Sequence, residues 1–193
     1  RLTTQICIVG AGPAGATASL FLSKQQIPHI IIDKANFPRD KVCGDALTLE
    51  VMHTLQLLDP NYVYEFGQQP DKFLPSWGFM ASSPNGKMLH TCLLEEKLPF
   101  APFYTVKRSD FDAFLVSKLD KNYATTFFDA TVSHIERKAG KAQVHFFRDG
   151  TNYHVEADLV FGADGATSVV AKEMGNEGKR KDLEHNAASV RAY

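Results

Sequence analysis

The first 34 residues contain a short apolar run, a glycine loop, a helical pattern and a second apolar run. QICIVG (5–10) and HIIIDK (29–34) are short and rich in isoleucine, which is typical of strands buried on both faces. The segment between them passes from the glycine loop into a helix. Strand, helix and strand within about thirty residues predict a βαβ unit with a right-handed crossover. The apolar face of the helix is expected to comprise Ala14, Ala18, Phe21 and Leu22.

The glycines of this loop, Gly10, Gly12 and Gly15, have the spacing G-x-G-x-x-G. The first permits a tight turn, the second lets the backbone approach a pyrophosphate, and the third lets helix and strand pack closely. The helix N terminus then offers unpaired N–H groups to a phosphate. Asp33 ends the second strand, where a carboxylate accepts hydrogen bonds from a ribose 2′-hydroxyl and repels a 2′-phosphate. The pattern predicts a site for NAD or FAD rather than NADP; a glycine-rich turn without a ligand is the alternative.

The remaining chain predicts an α/β fold with an antiparallel accessory layer. Apolar spacing predicts a helix over 46–58, opened by Ala46, and another helix capped by Ser109. Asn85-Gly86 predicts the turn of a β-hairpin, and Asp149-Gly150 predicts a second turn. Strands are predicted at 125–137, 141–147 and 152–165, followed by a weak helical pattern at 167–175.

Composition excludes several classes of function. Basic and acidic side chains nearly cancel, 21 Lys and Arg against 22 Asp and Glu, so we expect no nucleic-acid partner. The cysteines Cys7, Cys43 and Cys92 are odd in number and widely spaced, which favours reduced thiols and a cytoplasmic location. The seven histidines show no metal-ligand spacing, so no metal site is expected. The last residues, AASVRAY (187–193), stop in mid-pattern, which predicts a piece of a longer protein.

Three further motifs carry residues suited to chemistry. PRDKVCGDAL (38–47) places Cys43 among basic residues that can offset phosphate charge or stabilise an anionic flavin. In VKRSDFDAFL (106–115), the guanidinium of Arg108 can pair with a pyrophosphate, or lie at the surface beside Asp110 or Asp112. In DLVFGADGATSVV (158–170), a buried strand ends at Asp164-Gly165, which can orient backbone amides or sugar hydroxyls, or form a plain turn.

The loop and these motifs, in this order, resemble the flavoprotein hydroxylase (p-hydroxybenzoate hydroxylase-like) superfamily. Among its branches the chain is most similar to the geranylgeranyl reductases, whose segment after the second strand reads much like KVCGD. The resemblance covers essentially all 193 residues and corresponds to the N-terminal part of such proteins. It implies FAD as the cofactor. The cofactor-binding residues expected from the motifs and the resemblance are Gly10, Gly12, Pro13, Ala14, Gly15, Asp33, Lys34, Arg39, Lys41, Cys43, Gly44, Ala46, Arg108, Val132, Asp164 and Gly165.

The resemblance also implies an FAD-dependent oxidoreductase that reduces carbon–carbon double bonds of an isoprenoid or similar apolar substrate. NAD(P)H or another reductant is the expected electron donor. Cys43 is the expected catalytic residue, beside the flavin, where it helps protonate or position the substrate; a buried structural cysteine is the alternative. An apolar substrate also predicts peripheral membrane contact, and no specific protein partner is expected. An aromatic monooxygenase or halogenase-like enzyme, and a non-catalytic prenyl-binding protein of the same fold, are the competing hypotheses.

We expect a discontinuous domain organisation. Residues 1–60 and 101–185 are predicted to form the FAD-binding domain, and 61–100 a β-hairpin insertion on the substrate side. Residues 186–193 are predicted to begin a truncated, β-rich substrate domain.

Overall fold

A computed structural model describes residues 1–43, 45–92 and 99–175, which divide into two compact units. The first unit contains residues 1–39 and the described chain from Asp112 onwards, and the second contains the described residues from Asp40 to Phe111. The predicted functional division at 60/61 and 100/101 stays a prediction. Gly44 and the predicted start of the substrate domain, 186–193, lie outside the described residues.

Eleven strands and five helices follow one another along the described residues. The helices are α1 (Pro13–Lys24), α2 (Leu49–Leu58), α3 (Pro60–Gly67), α4 (Arg108–Ser117) and α5 (Val169–Met174). The strands are β1 (Leu2–Val9), β2 (His29–Ile32), β3 (Ala46–Leu47), β4 (Leu74–Ser76), β5 (Gly78–Ser82), β6 (Met88–Cys92), β7 (Phe103–Thr105), β8 (Ala124–Phe127), β9 (Thr131–Lys138), β10 (Lys141–Arg148) and β11 (Thr151–Gly162).

The first unit is built on a six-stranded sheet in the order β8-β2-β1-β11-β10-β9. The first four strands in this order run parallel, and β10 and β9 continue the sheet antiparallel. Isoleucines of β1 and β2 are buried on both faces: Ile30 and Ile32 point into one apolar cluster, and Ile8 and Ile31 into the other. The predicted α/β fold, with a βαβ unit and an antiparallel layer, is confirmed.

The predicted apolar face of helix α1 is buried only in part: Ala18 and Leu22 pack against an apolar cluster, but the most buried side of the helix is a neighbouring one. Its buried residues include Ser19, Leu20 and Ser23, whereas Ala14 is exposed. The reason is that Gly15 must face the strands, and residues four and eight positions later share its side of a helix. Close packing at the glycine therefore sets the rotation of the helix, and two serines enter the interior as a consequence.

The strand predicted over 125–137 is two strands in the structure. β8 ends at Phe127 and β9 begins at Thr131, because the chain turns through Asp129, whose φ is +54°. The turn predicted at Asp149-Gly150 joins β10 to β11, with φ values of +49° and +74° at its two residues. Positive φ at both central residues is the geometry that matches the twist of a tight hairpin.

The second unit contains α2, α3, a three-stranded sheet in the order β3-β7-β4 and the hairpin β5–β6. Its interior is aromatic: the rings of Phe66 and Phe73 stack at 4.1 Å, and Tyr104 meets Phe66 edge-on at 5.3 Å. The hairpin predicted around Asn85-Gly86 is present, with Ser82 opposite Met88. Among the described residues, no helix has the length and hydrophobicity needed to cross a membrane.

Two predicted helix starts are wrong. Ala46 lies in β3, where it pairs with Thr105, and α2 begins only at Leu49, after Thr48. The two-residue strand takes the positions that helical spacing had assigned to the first turn. Likewise, α4 begins at Arg108, so Ser109 lies inside the helix rather than capping it.

Helix α3 was not predicted, although its start signal is present. The Asp59 side chain accepts a hydrogen bond from the backbone N–H of Asn61 at 2.9 Å, and Pro60 occupies the first turn. An acidic N-cap followed by proline is a standard helix beginning.

Candidate functional site

The glycine loop lies where β1, β11 and α1 converge, and two of its positions have no room for a side chain. Gly10 has φ +100°, and a Cβ there would lie 2.3 Å from the carbonyl oxygen of Ala163. A Cβ on Gly15 would lie 1.8 Å from the carbonyl oxygen of Gly10. The backbone N–H of Gly10 also donates to the Ile32 carbonyl at 2.7 Å. The loop is therefore tied to both neighbouring strands, as the glycine spacing predicts.

The N terminus of α1 is open to an anion. Gly12 is the N-cap, Pro13 begins the helix, and no described side chain caps it. No acidic residue lies in its first turn. The first-turn N–H groups, which have no partner within the helix, and the partial positive charge of the helix dipole therefore lie at this end; Pro13 itself has no N–H. A phosphate group is the kind of ligand that such a helix end binds.

Asp33 is buried immediately after β2, and its carboxylate is hydrogen-bonded to the glycine loop. One of its carboxylate oxygens accepts a hydrogen bond from the N–H of Ala11 at 2.6 Å, and the other accepts one from Ala35 at 2.8 Å. Each oxygen keeps a lone pair, so the carboxylate can accept a further bond from a ligand hydroxyl. Lys34, beside it, is exposed.

Arg39 places a positive charge at the same loop. A Cβ built on Gly12 would lie 3.3 Å from a terminal guanidinium nitrogen of Arg39, so the guanidinium borders this glycine. The Nε atom of Arg39 is buried, and no acceptor for it is found among the described residues. Open backbone amides and a cation with an unused donor provide the donor set that a pyrophosphate needs. The residues present therefore fit the diphosphate of a dinucleotide.

The turn after β11 is organised differently. Asp164 accepts a hydrogen bond from the Ser168 hydroxyl at 2.6 Å and another from the N–H of Val169 at 2.6 Å. The Ser168 Oγ in turn accepts from the N–H of Ala171 at 2.9 Å. Gly165 has φ +82° and is exposed. Of the roles considered for Asp164, the orientation of backbone amides is the one present in the structure.

The other predicted residues lie in several parts of the molecule. Arg108 begins α4 and is half-buried; Asp110 and Asp112 form ion pairs with Lys72 and Arg39 respectively. In the second unit, Lys41 and Ala46 are exposed and Cys43 is half-buried. In the first unit, Val132 is half-buried in β9. Their contact with a cofactor stays a prediction.

Sequence reasoning missed a buried polar pair behind the loop. Ser19 on α1 and His29 on β2 are joined by a hydrogen bond of 2.6 Å between Oγ and Nε2. Nδ1 of His29 lies 2.9 Å from the carbonyl of Ile27, which can only accept. Nδ1 therefore carries the proton and donates, and Nε2 accepts from Ser19. Burial lowers the pKa of His29 and keeps this tautomer neutral. The one signal in the sequence was a serine where such helices usually carry a small apolar residue.

Asp112 was also missed as a site residue. The sequence had suggested it only as a surface partner for Arg108, whereas the structure buries it completely beside Arg39. Within the described residues, no group of three His, Cys, Asp or Glu side chains is arranged to hold a metal ion.

A comparison with known protein families shows to which family this fold and glycine loop belong. The family described as "FAD binding domain" matches residues 3–192. The chain belongs to this family. The predicted kinship with FAD-dependent oxidoreductases is thereby confirmed at family level, and FAD is the cofactor that the loop fits.

Two curated relatives show how far the similarity extends. Protein FixC of Salmonella typhi is 29% identical over 187 residues, which are 95% of this chain and 41% of FixC. Digeranylgeranylglycerophospholipid reductase of Methanocaldococcus jannaschii is 28% identical over 183 residues, 93% of this chain and 42% of the reductase. This FAD binding domain thus spans about two fifths of the length of these relatives.

A solved structure shows the same fold. The flavin-dependent halogenase CmlS superposes with a TM-score of 0.76 at 22% identity, over 90% of this chain and 31% of the halogenase. At this identity the likeness concerns the fold alone. It places the βαβ unit and the antiparallel layer of this FAD binding domain in the architecture that the sequence predicted.

Proposed function

We propose that this FAD binding domain is part of an oxidoreductase that reduces carbon–carbon double bonds in an isoprenoid or similarly apolar substrate. Two observations support a reductase. The first is the similarity to a digeranylgeranylglycerophospholipid reductase over 93% of the chain. The second is the segment KVCGD (41–45), which reads like the corresponding segment of geranylgeranyl reductases. Peripheral membrane contact follows from the apolar substrate and is part of the same proposal.

The observation that carries FAD binding is the convergence at Gly12. Open amides of α1, the guanidinium of Arg39 and the carboxylate of Asp33 surround one short loop. In the proposal, the amides and Arg39 hold the diphosphate, and Asp33 accepts from a ribose hydroxyl while it keeps the loop in place. Contact of FAD with Arg108, Lys41 and the other residues expected from the resemblance stays a prediction.

Bound in its reduced form, FAD would supply the hydride needed to saturate the double bond, with NAD(P)H or another reductant as the source of electrons. The protein itself donates a proton and orients the substrate. Cys43 is half-buried, which suits a side chain that lines a site and still exchanges protons with water. We assign to the Sγ–H of Cys43 the proton that the second carbon takes up, and water replaces it.

The experiment is a comparison of wild type, Cys43→Ala, Cys43→Ser and the control Cys92→Ser, whose cysteine is exposed on β6. The full chain is incubated anaerobically with a polyprenyl substrate and either NAD(P)H or dithionite. Saturation is followed by the mass gain of two hydrogens per double bond. We expect wild type and Cys92→Ser to be equally active, and both Cys43 variants to retain FAD but turn over at least about a hundredfold more slowly.

Other outcomes of this experiment would support a different role for Cys43 or a different function for the chain. Unchanged turnover of Cys43→Ser would make the sulfur structural. An oxygen-dependent hydroxylated product would indicate an aromatic monooxygenase. A colourless protein that binds the prenyl chain but takes up no FAD would indicate a non-catalytic binding protein.

A further inference from the structure

The guanidinium of Arg39 is held by a carboxylate that is inaccessible to water. A terminal nitrogen of Arg39 lies 3.3 Å from a carboxylate oxygen of Asp112 on α4. The Asp112 side chain is 0% exposed and that of Arg39 is 21% exposed. The guanidinium also lies over the ring of Phe37, 5.2 Å from its centroid. Arg39 is thus fixed from two sides by residues of the chain itself.

This pair does more than neutralise a buried charge. A buried carboxylate that loses its partner is strongly destabilising, so Asp112 keeps Arg39 at this position. The ion pair leaves Nε of Arg39 buried with no acceptor among the described residues, and the guanidinium borders Gly12. An ion pair that served stability alone would be expected to satisfy the donors of its arginine rather than leave one unused beside an open helix end.

We propose that Asp112 is a positioning residue for the cofactor diphosphate: it orients the guanidinium of Arg39 toward the loop at Gly12. This inference rests on the proposed binding of FAD at that loop. Arginine loses much side-chain freedom when it is fixed, and a guanidinium already held by Asp112 has lost that freedom before the diphosphate arrives. Asp112 therefore raises affinity for the diphosphate although its own charge is negative, because orientation outweighs the added repulsion.

The test uses two probes that differ only in the diphosphate, ADP and adenosine, bound to the flavin-free full chain and measured by calorimetry. Asp112→Asn keeps the size of the side chain and removes its charge. We expect it to weaken ADP binding about tenfold and to leave adenosine binding unchanged. The control is Asp158→Asn, which makes the same change in an exposed ion pair with Lys141 (3.1 Å) and is expected to affect neither probe.

A second arm separates positioning from general damage. In an Arg39→Gln background, adding Asp112→Asn should cost no further ADP affinity, since the guanidinium that Asp112 orients is gone. If Asp112→Asn does not fold, Asp112→Glu replaces it; the longer side chain displaces the guanidinium, and ADP but not adenosine should again bind more weakly.

Three results would overturn the inference. They are unchanged or tighter ADP binding by the folded Asp112 variant, equal losses for ADP and adenosine, and an undiminished effect of Asp112→Asn in the Arg39→Gln background. The proposed function fails separately, if wild type binds neither FAD nor ADP. Binding of FAD by wild type together with any of the three results above leaves FAD binding intact and removes only the role of Asp112.

Discussion

The two strand–turn–helix junctions of the first unit, β1–α1 and β11–α5, use opposite arrangements at their helix N termini. At β1–α1 no described side chain caps the helix, and two glycines of the turn, Gly10 and Gly15, have no space for a Cβ. At β11–α5 the side chains of Asp164 and Ser168 occupy the helix end themselves. The first junction leaves its amides to a ligand, whereas the second satisfies them within the chain.

The two helices also differ in how much of their length is buried. Helix α1 is anchored along its length by buried residues, including Ser19 and its hydrogen bond to His29. Every residue of α5 is at least partly exposed, so this helix depends on its cap and on packing at Gly162, where a Cβ would meet Val170 at 2.9 Å. A helix whose end must remain open for a ligand needs its stability elsewhere, and α1 obtains it from the interior.

The largest effect should come from closing the open junction. Gly15→Ala places a methyl group 1.8 Å from the carbonyl oxygen of Gly10, so the backbone of the loop must move. We expect the free energy of unfolding to fall by about 3 kcal/mol or more and FAD to be lost on purification. Urea unfolding and flavin absorbance measure the two effects. Gly67→Ala is the control, because a Cβ there has no neighbour within 4 Å among the described residues. If Gly15→Ala retained FAD with wild-type stability, the close packing at this loop would be refuted.

The sequence was most informative where backbone sterics alone determine the structure. Glycine spacing between two isoleucine-rich strands sufficed to predict the βαβ unit, because no other residue fits Gly10 and Gly15. The partners of the site were not predictable in the same way. Asp112 lies 73 positions after Arg39 in the chain, and local spacing carries no information on an ion pair between separate elements.

Short secondary-structure elements were the other part of the fold that the sequence did not predict. Apolar spacing over 46–58 fits a helix, but the first two positions pair with β7 instead, since Leu47 is buried opposite Tyr104 in a three-stranded sheet. A two-residue strand has too few positions to show a period, and its hydrogen bonds come from residues that are distant in sequence. The burial of Ser19 and Ser23 on α1 was missed for a related reason: the contact at Gly15, rather than the sum of apolar residues, determines which side of the helix is most buried.

An effect of intermediate size is expected when the side-chain hydrogen bonds at the start of α5 are removed. Asp164→Ala removes the acceptor for Ser168 Oγ and the N–H of Val169, so we expect the free energy of unfolding to fall by about 1–2 kcal/mol. Urea unfolding with and without FAD measures it. The neighbouring exposed Thr167→Ala serves as the control. If Asp164→Ala weakened FAD binding while its stability remained that of wild type, Asp164 would be a ligand residue rather than the cap that the structure shows.

The smallest expected effect is a pH-dependent change in the free energy of unfolding. It concerns the interior anchor of α1, the buried hydrogen bond between Ser19 on α1 and His29 on β2. Burial lowers the pKa of His29 below its ordinary value near 6.5, so below that pH the unfolded chain binds a proton that the folded protein resists. The stability contributed by neutral His29 is therefore complete above pH about 6.5 and is lost as the pH falls toward the folded-state pKa. The free energy of unfolding of wild type should decrease over this range more steeply than that of His29→Gln.

Ser19→Ala distinguishes the cause of this pH dependence. Because burial, rather than the serine, is the main reason for the lowered pKa, Ser19→Ala should be less stable than wild type at every pH yet keep the wild-type slope. Parallel pH profiles for wild type and His29→Gln would mean that acid does not act on the anchor of α1. In that case the contrast between the two junctions would be confined to their helix ends. A steeper wild-type profile would instead show that the anchoring of α1 depends on a neutral His29 on β2.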